Sequence, residues 1–66
     1  MGKSYILLQM YDVLRTEGGI RISECCGKYE ISVATFRRYM AFLRGYFSES
    51  GRELIYDPEN SVYRLR

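Results

Sequence analysis

Three stretches of the chain place apolar residues at helical spacing, and two stretches near its end alternate apolar with polar residues as half-buried strands do. The first helix is expected over residues 4 to 16. Ile6, Met10, Val13 and Leu14 form its core stripe, widened by Leu7 and Leu8, and Glu17-Gly18-Gly19 stops it. Ile20-Arg21-Ile22 is short, alternating and β-branched, which suits a brief strand. A short second helix follows over Ser23 to Tyr29, with Cys25, Cys26 and Tyr29 as its apolar residues, and Glu30-Ile31-Ser32 is a tight connection. The third helix is expected over residues 32–44. Ser32 is its N-cap, because a serine hydroxyl accepts from a free amide two or three residues on. Val33, Phe36, Met40 and Leu43 make its apolar face, and Gly45 ends it.

Residues 46 to 52 then read as a loop. Glu53 to Asp57 and Val62 to Arg66 alternate as strands, with Leu54, Tyr56, Tyr63 and Leu65 facing inward. Pro58-Glu59-Asn60-Ser61 joins them: proline presets its dihedral and Asn60 tolerates positive φ. The fold class expected is therefore α+β, a winged helix-turn-helix of three helices with a C-terminal β-hairpin wing. All 66 residues form one domain, residues 1–66.

The third helix carries the most information about function. At about 100° per residue, Arg38 points almost directly away from the apolar stripe. Ala34, Thr35 and Ala41 lie beside it on the outer side, and Arg37 sits on one flank. A buried stripe backed by a flat face of small residues and arginines fits a helix that packs in a core on one side and enters a DNA major groove on the other. A short helix, a three-residue turn and a longer helix in that order make a helix-turn-helix.

Composition narrows the alternatives. The net charge of +2, from ten basic and eight acidic residues, permits nucleic-acid binding without demanding it. Two cysteines and no histidine are too few for a zinc site, and adjacent Cys25 and Cys26 suit small buried hydrophobes in a reduced, cytoplasmic protein. No cofactor, small-molecule ligand or membrane association is implied, since the apolar run Tyr5 to Leu8 is too short for a membrane span. An enzyme is not expected. There is no histidine, no phosphate-binding glycine loop and no acid–base pair in a plausible pocket.

Two stretches carry a family resemblance. Ile31-Ser32-Val33-Ala34-Thr35-Phe36-Arg37-Arg38 is one, and Ile55-Tyr56-Asp57-Pro58-Glu59 with Tyr63-Arg64-Leu65 is the other. Together they resemble the N-terminal winged helix-turn-helix domains of bacterial regulators of the WYL and DeoR types, over nearly the whole chain. The resemblance implies a transcriptional regulator, with Ser32, Thr35, Arg37 and Arg38 facing DNA. Departures from the pattern are Glu30 where the family usually has glycine, Arg21 where it usually has a serine or threonine cap, and acidic Asp57 and Glu59 at the wing tip. Family members usually continue into an effector domain, so this chain reads either as an excised winged helix-turn-helix domain or as a small protein in its own right.

The expected partner is double-stranded DNA, contacted through Ser32, Ala34, Thr35, Arg37, Arg38, Arg44 and Arg64. The alternative is a winged-helix protein-interaction module that does not bind DNA directly. The seven tyrosines and three phenylalanines exceed what so small a core needs. Tyr11, Tyr39, Phe42, Tyr46 and Phe47 do not all fit inside, and they are candidates for a homodimer or partner surface.

Overall fold

A computed structural model describes residues 2–66. Its elements run α1 (Lys3–Glu17), β1 (Gly19–Arg21), α2 (Ile22–Tyr29), α3 (Val33–Glu49), β2 (Leu54–Asp57) and β3 (Val62–Leu65). The fold is α+β, with the layout of a winged helix. The three strands form one antiparallel sheet in the order β1-β3-β2, with Ile20 and Tyr56 flanking Tyr63 on the central strand.

The expected stripes build the core. Ile6, Met10 and Leu14 from α1 meet Phe36, Met40 and Leu43 from α3 over a floor of Ile20, Leu54, Tyr63 and Leu65. Phe36 is fully buried, and its ring lies edge-on to Tyr63 at 5.6 Å. Tyr63 in turn packs on Tyr56 at 4.9 Å. This aromatic chain fixes the pose of α3 relative to the hairpin. β1 approaches β3 so closely that a Cβ on Gly19 would stand 3.2 Å from the carbonyl oxygen of Tyr63, so any larger residue there needs the ladder to shift by a few tenths of an ångström.

Four details of the sequence reading are corrected. First, α3 does not stop at Gly45 but continues to Glu49, so residues 46 to 49 are helix rather than loop. Phe47 is buried and extends the stripe of Phe36, Met40 and Leu43 by another turn. Burying a phenylalanine outweighs the roughly 1 kcal/mol that an interior glycine costs. The true stop is Gly51 at φ 77°. There the amides of Gly51 and Arg52 close on the carbonyls of Ser48 and Phe47, the hydrogen-bond pattern of a Schellman motif. Phe47 therefore belongs to the core and leaves the set of surplus aromatics. Second, Val33 is 45% exposed despite its inward phase, because the core ends at Phe36 and does not reach the first residue of α3. Third, the left-handed residue of the wing turn is Ser61, at φ 52°, and not Asn60. The Asn60 amide instead donates to Asp57 at 2.9 Å. Fourth, α2 starts at Ile22, with Arg21 in the cap position and no side-chain cap bond.

The departure at Glu30 has a physical consequence. Glu30 ends α2 in the left-handed region at φ 53°, ψ 47°, and the Ile31 amide closes on the Cys26 carbonyl at 3.1 Å. This is the glycine position of a helix-terminating motif, and a residue with a Cβ pays roughly 1–2 kcal/mol there. Glycine in the unfolded chain returns about 0.4–1 kcal/mol of that. Glu30→Gly is therefore expected to stabilise the domain by about 0.5–1 kcal/mol, raising the melting midpoint by several degrees. A lower midpoint in a thermal melt would show that the Glu30 side chain does more for the turn than its backbone strain costs.

The adjacent cysteines are both free and sit in different environments. Burial, and secondarily the neighbouring Cys26, pushes the Cys25 thiol up to about 11, with Lys28 pulling weakly the other way. Cys25 is thus an inert thiol at neutral pH. In the native protein a thiol reagent is expected to modify Cys26, which is half-buried, well before Cys25. In Cys26→Ser the remaining thiol should react only under denaturing conditions. Equal native rates at the two cysteines would mean that α2 opens readily.

Candidate nucleic-acid interface

The N-terminal half of α3 buries Phe36 and Met40 on one side and exposes its opposite side. Its cap is made as expected: the Ser32 hydroxyl oxygen accepts from the Thr35 amide at 3.1 Å. The same hydroxyl donates its proton to Thr35 Oγ1 at 3.0 Å. Ser32 is therefore fully committed to the cap, whereas the Thr35 hydroxyl, acting as acceptor in that bond, keeps its own proton to donate elsewhere. Sequence reasoning had treated the two hydroxyls as equivalent, and their pairing separates them.

Ala34, Arg37, Arg38 and Ala41 are all exposed. Among the described residues neither Arg37 nor Arg38 has a carboxylate within ion-pair distance, whereas Arg21, Arg64 and Arg66 each have one. No acidic residue occurs on α3 before Glu49. The first four turns of this helix consequently carry only positive charge.

The other two arginines of the expected set are engaged within the fold. Arg44 donates from Nε to the Leu54 carbonyl at 3.3 Å, bracing α3 against β2. Arg64 Nε lies 3.6 Å from Asp57 Oδ2. Asp57 also accepts from the Glu59 amide at 3.1 Å and from Asn60 at 2.9 Å. The Asn60 side-chain hydrogen bond holds the Asp57 carboxyl below its ordinary range; desolvation opposes it, and the turn amides and, last, Arg64 add to the lowering. Asp57 thus organises the wing turn and is partly neutralised by Arg64, so Glu59 is the tip carboxylate without such a partner. Composition showed both acids but not this difference between them.

The structure also exposes Leu8, which the helical pattern assigns to the widened stripe of α1, together with three aromatics. Leu8 is 65% and Tyr5 51% exposed on α1, and Phe42 is 67% and Tyr46 48% exposed on α3. Tyr11 and Tyr39 are half-buried. The 3–4 spacing of Tyr5, Leu8, Asp12 and Arg15 along α1 could have marked this second stripe. Among the described residues no group of histidine, cysteine, aspartate or glutamate is placed to hold a metal ion, and no helix is long and apolar enough to cross a membrane.

The fold class defined by these elements is that of a three-helix domain with a β-hairpin wing. No protein-family model, curated protein or solved structure matches this chain.

Proposed function

We propose that this protein binds double-stranded DNA, with the N-terminal half of α3 in the major groove, as a transcriptional regulator working in the cytoplasm. The observation that carries this reading is the pair Arg37 and Arg38, exposed and without carboxylate partners among the described residues. They stand on a helix face with Ala34, Thr35 and Ala41, bordered one turn after Arg38 by the exposed Phe42. Unpaired guanidiniums on an exposed helix face suit base-edge or phosphate contact, and flanking alanines let the helix seat deeply. Thr35, with a free hydroxyl proton, suits a backbone phosphate. The resemblance to WYL- and DeoR-type regulators supports the same face.

The wing plays a smaller part in this reading. Arg64 is shared with Asp57, and Glu59 would repel phosphates, so the hairpin lies along the backbone rather than inserting into the minor groove. Arg44 is anchored to β2 and contributes charge more than a directed contact.

Salt dependence tests the proposal. Each neutralised phosphate releases counterions, so the logarithm of the binding constant should fall linearly with that of salt, with a slope of about −0.9 per contact. Fluorescence anisotropy with mixed-sequence duplexes at low and near-physiological salt should show weak, steeply salt-dependent binding. Failure to bind any duplex at low salt would overturn the proposal in favour of a protein-interaction module, the reading that the unpaired Glu59 and exposed Phe42 favour.

A further inference from the structure

We infer that the exposed apolar residues of α1 and α3 form a self-association face, and that its occupant is a second copy of this chain related by a two-fold axis. Tyr11 on α1 stacks on Phe47 at 5.4 Å and meets Tyr46 edge-on at 5.6 Å, so the two helices touch here. Leu8 precedes Tyr11 by one turn, and Phe42 precedes Tyr46 by one turn. Four of the five large exposed hydrophobic side chains, Tyr5, Leu8, Phe42 and Tyr46, therefore belong to the two helices that meet at this contact. At their exposures they leave about 400 Å² of apolar surface in water, taking roughly 150–250 Å² for each such side chain when fully exposed. That lies within the roughly 300–600 Å² of the largest apolar patch on a typical monomer, a class of surface that is often functional.

The charges around this contact single out the occupant. Beside it lies an open cleft of about 260 Å³ lined by Tyr11, Arg15, Tyr46, Phe47, Ser50 and Arg52, which brings two guanidiniums and no carboxylate to its walls. Arg15 sits over the Tyr11 ring at 5.5 Å. The neighbouring carboxylates, Asp12 one turn before Arg15 and Glu49 one turn after Tyr46, are exposed. Neither is in an ion pair among the described residues. The surface thus presents an apolar centre, two unpaired acids and a two-arginine cleft, a set that complements itself under a two-fold axis. Burying these side chains completely in two copies removes about 800 Å² of apolar surface from water, which is below the roughly 1,200 Å² of stable specific interfaces and in the range of weak, transient ones. The result is a weak dimer. It uses the later turns of α3, where Phe42 follows Arg38 by one turn on the same side of the helix, so the association face adjoins the arginine face; it does not depend on DNA binding.

Sedimentation equilibrium without DNA tests this, over concentrations from a few micromolar to about 1 mM, the range of weak association. The expected result is a reversible monomer–dimer equilibrium that Leu8→Ser and Phe42→Ser each weaken tenfold or more. The melting midpoint of the dilute, monomeric variants should stay unchanged, because both side chains are exposed. Charge provides an independent arm. A variant with Asp12→Arg and Glu49→Arg, and one with Arg15→Glu and Arg52→Glu, should each associate less than the native chain. An equimolar mixture of the two should form a heterodimer. A native chain that stays monomeric throughout overturns the inference, as does a dimer indifferent to both apolar substitutions or a mixture that fails to pair. DNA binding lost with self-association intact, or the reverse, separates this inference from the function proposed above.

Discussion

Phe36→Ala is expected to abolish the folded state near room temperature or leave it barely populated. The side chain is fully buried. It sits where α3, α1 and the sheet converge, with its ring edge-on to Tyr63 at 5.6 Å. Truncating a buried phenylalanine costs about 3–5 kcal/mol through lost transfer energy and the cavity left behind. The edge-to-face contact with Tyr63 is part of that cost and places Phe36 toward its upper end. A domain of 66 residues has about 3–10 kcal/mol in total, from the usual range per residue. The cost and the reserve are comparable, so the equilibrium moves to or past its midpoint. Phe36→Leu, which keeps most of the volume, should instead fold with a lowered midpoint. Urea denaturation followed by far-UV circular dichroism checks both variants. A cooperative Phe36→Ala transition close to that of the native chain would mean that the ring is not the keystone between α3 and the wing.

The same residue shows why so much of the fold could be read from the sequence. Phe36, Met40 and Leu43 recur at a period that only a helix satisfies, and Ser32 supplies a cap whose bond to Thr35 forms as expected. The alternation of Leu54 and Tyr56, and of Tyr63 and Leu65, sets the inward face of the hairpin in the same local way. The errors arose where a distant contact overruled a local preference. Gly45 looks like a helix end, but Phe47 beyond it stacks on Tyr11 from the first helix, and that long-range contact carries the helix onward to Gly51. Val33 has the phase of a core residue, yet the core ends at Phe36 and does not reach the first residue of α3, and no local pattern reveals where a core ends.

The candidate site was legible to a similar depth. The outward phase of Arg38 follows from helical periodicity alone, and its exposure agrees. Which arginines are held by carboxylates or carbonyls cannot be read from composition, because Arg44 finds Leu54, and Arg64 finds Asp57, only once the hairpin folds back. The pairing of Ser32 with Thr35 likewise depends on hydroxyl geometry.

That separation between engaged and free arginines gives the largest expected effect on function. Arg37→Ala and Arg38→Ala should both fold with melting midpoints close to the native one, since exposed substitutions away from special features change stability by no more than about 0.5 kcal/mol. Their effects on DNA should differ in kind. Arg38 lies at the centre of the outer face and is positioned for a base edge, where a good contact discriminates by about 1–3 kcal/mol. Arg38→Ala should then lower affinity for a selected site by about ten- to a hundredfold and bring it close to that for random duplex. Arg37 lies about 100° around the helix and is positioned for a phosphate. Arg37→Ala should weaken selected and random duplexes alike and reduce the salt slope by about one. Arg64→Ala, which removes a guanidinium shared with Asp57, should have the smallest effect of the three. Anisotropy titrations of each variant against a selected and a scrambled duplex, at two salt concentrations, resolve these outcomes. Tight native binding untouched by either helix substitution would place the DNA contact elsewhere on the domain. Equal losses on both duplexes for Arg38→Ala would assign that arginine to the backbone and leave sequence recognition to Ala34, Thr35 or the groove shape.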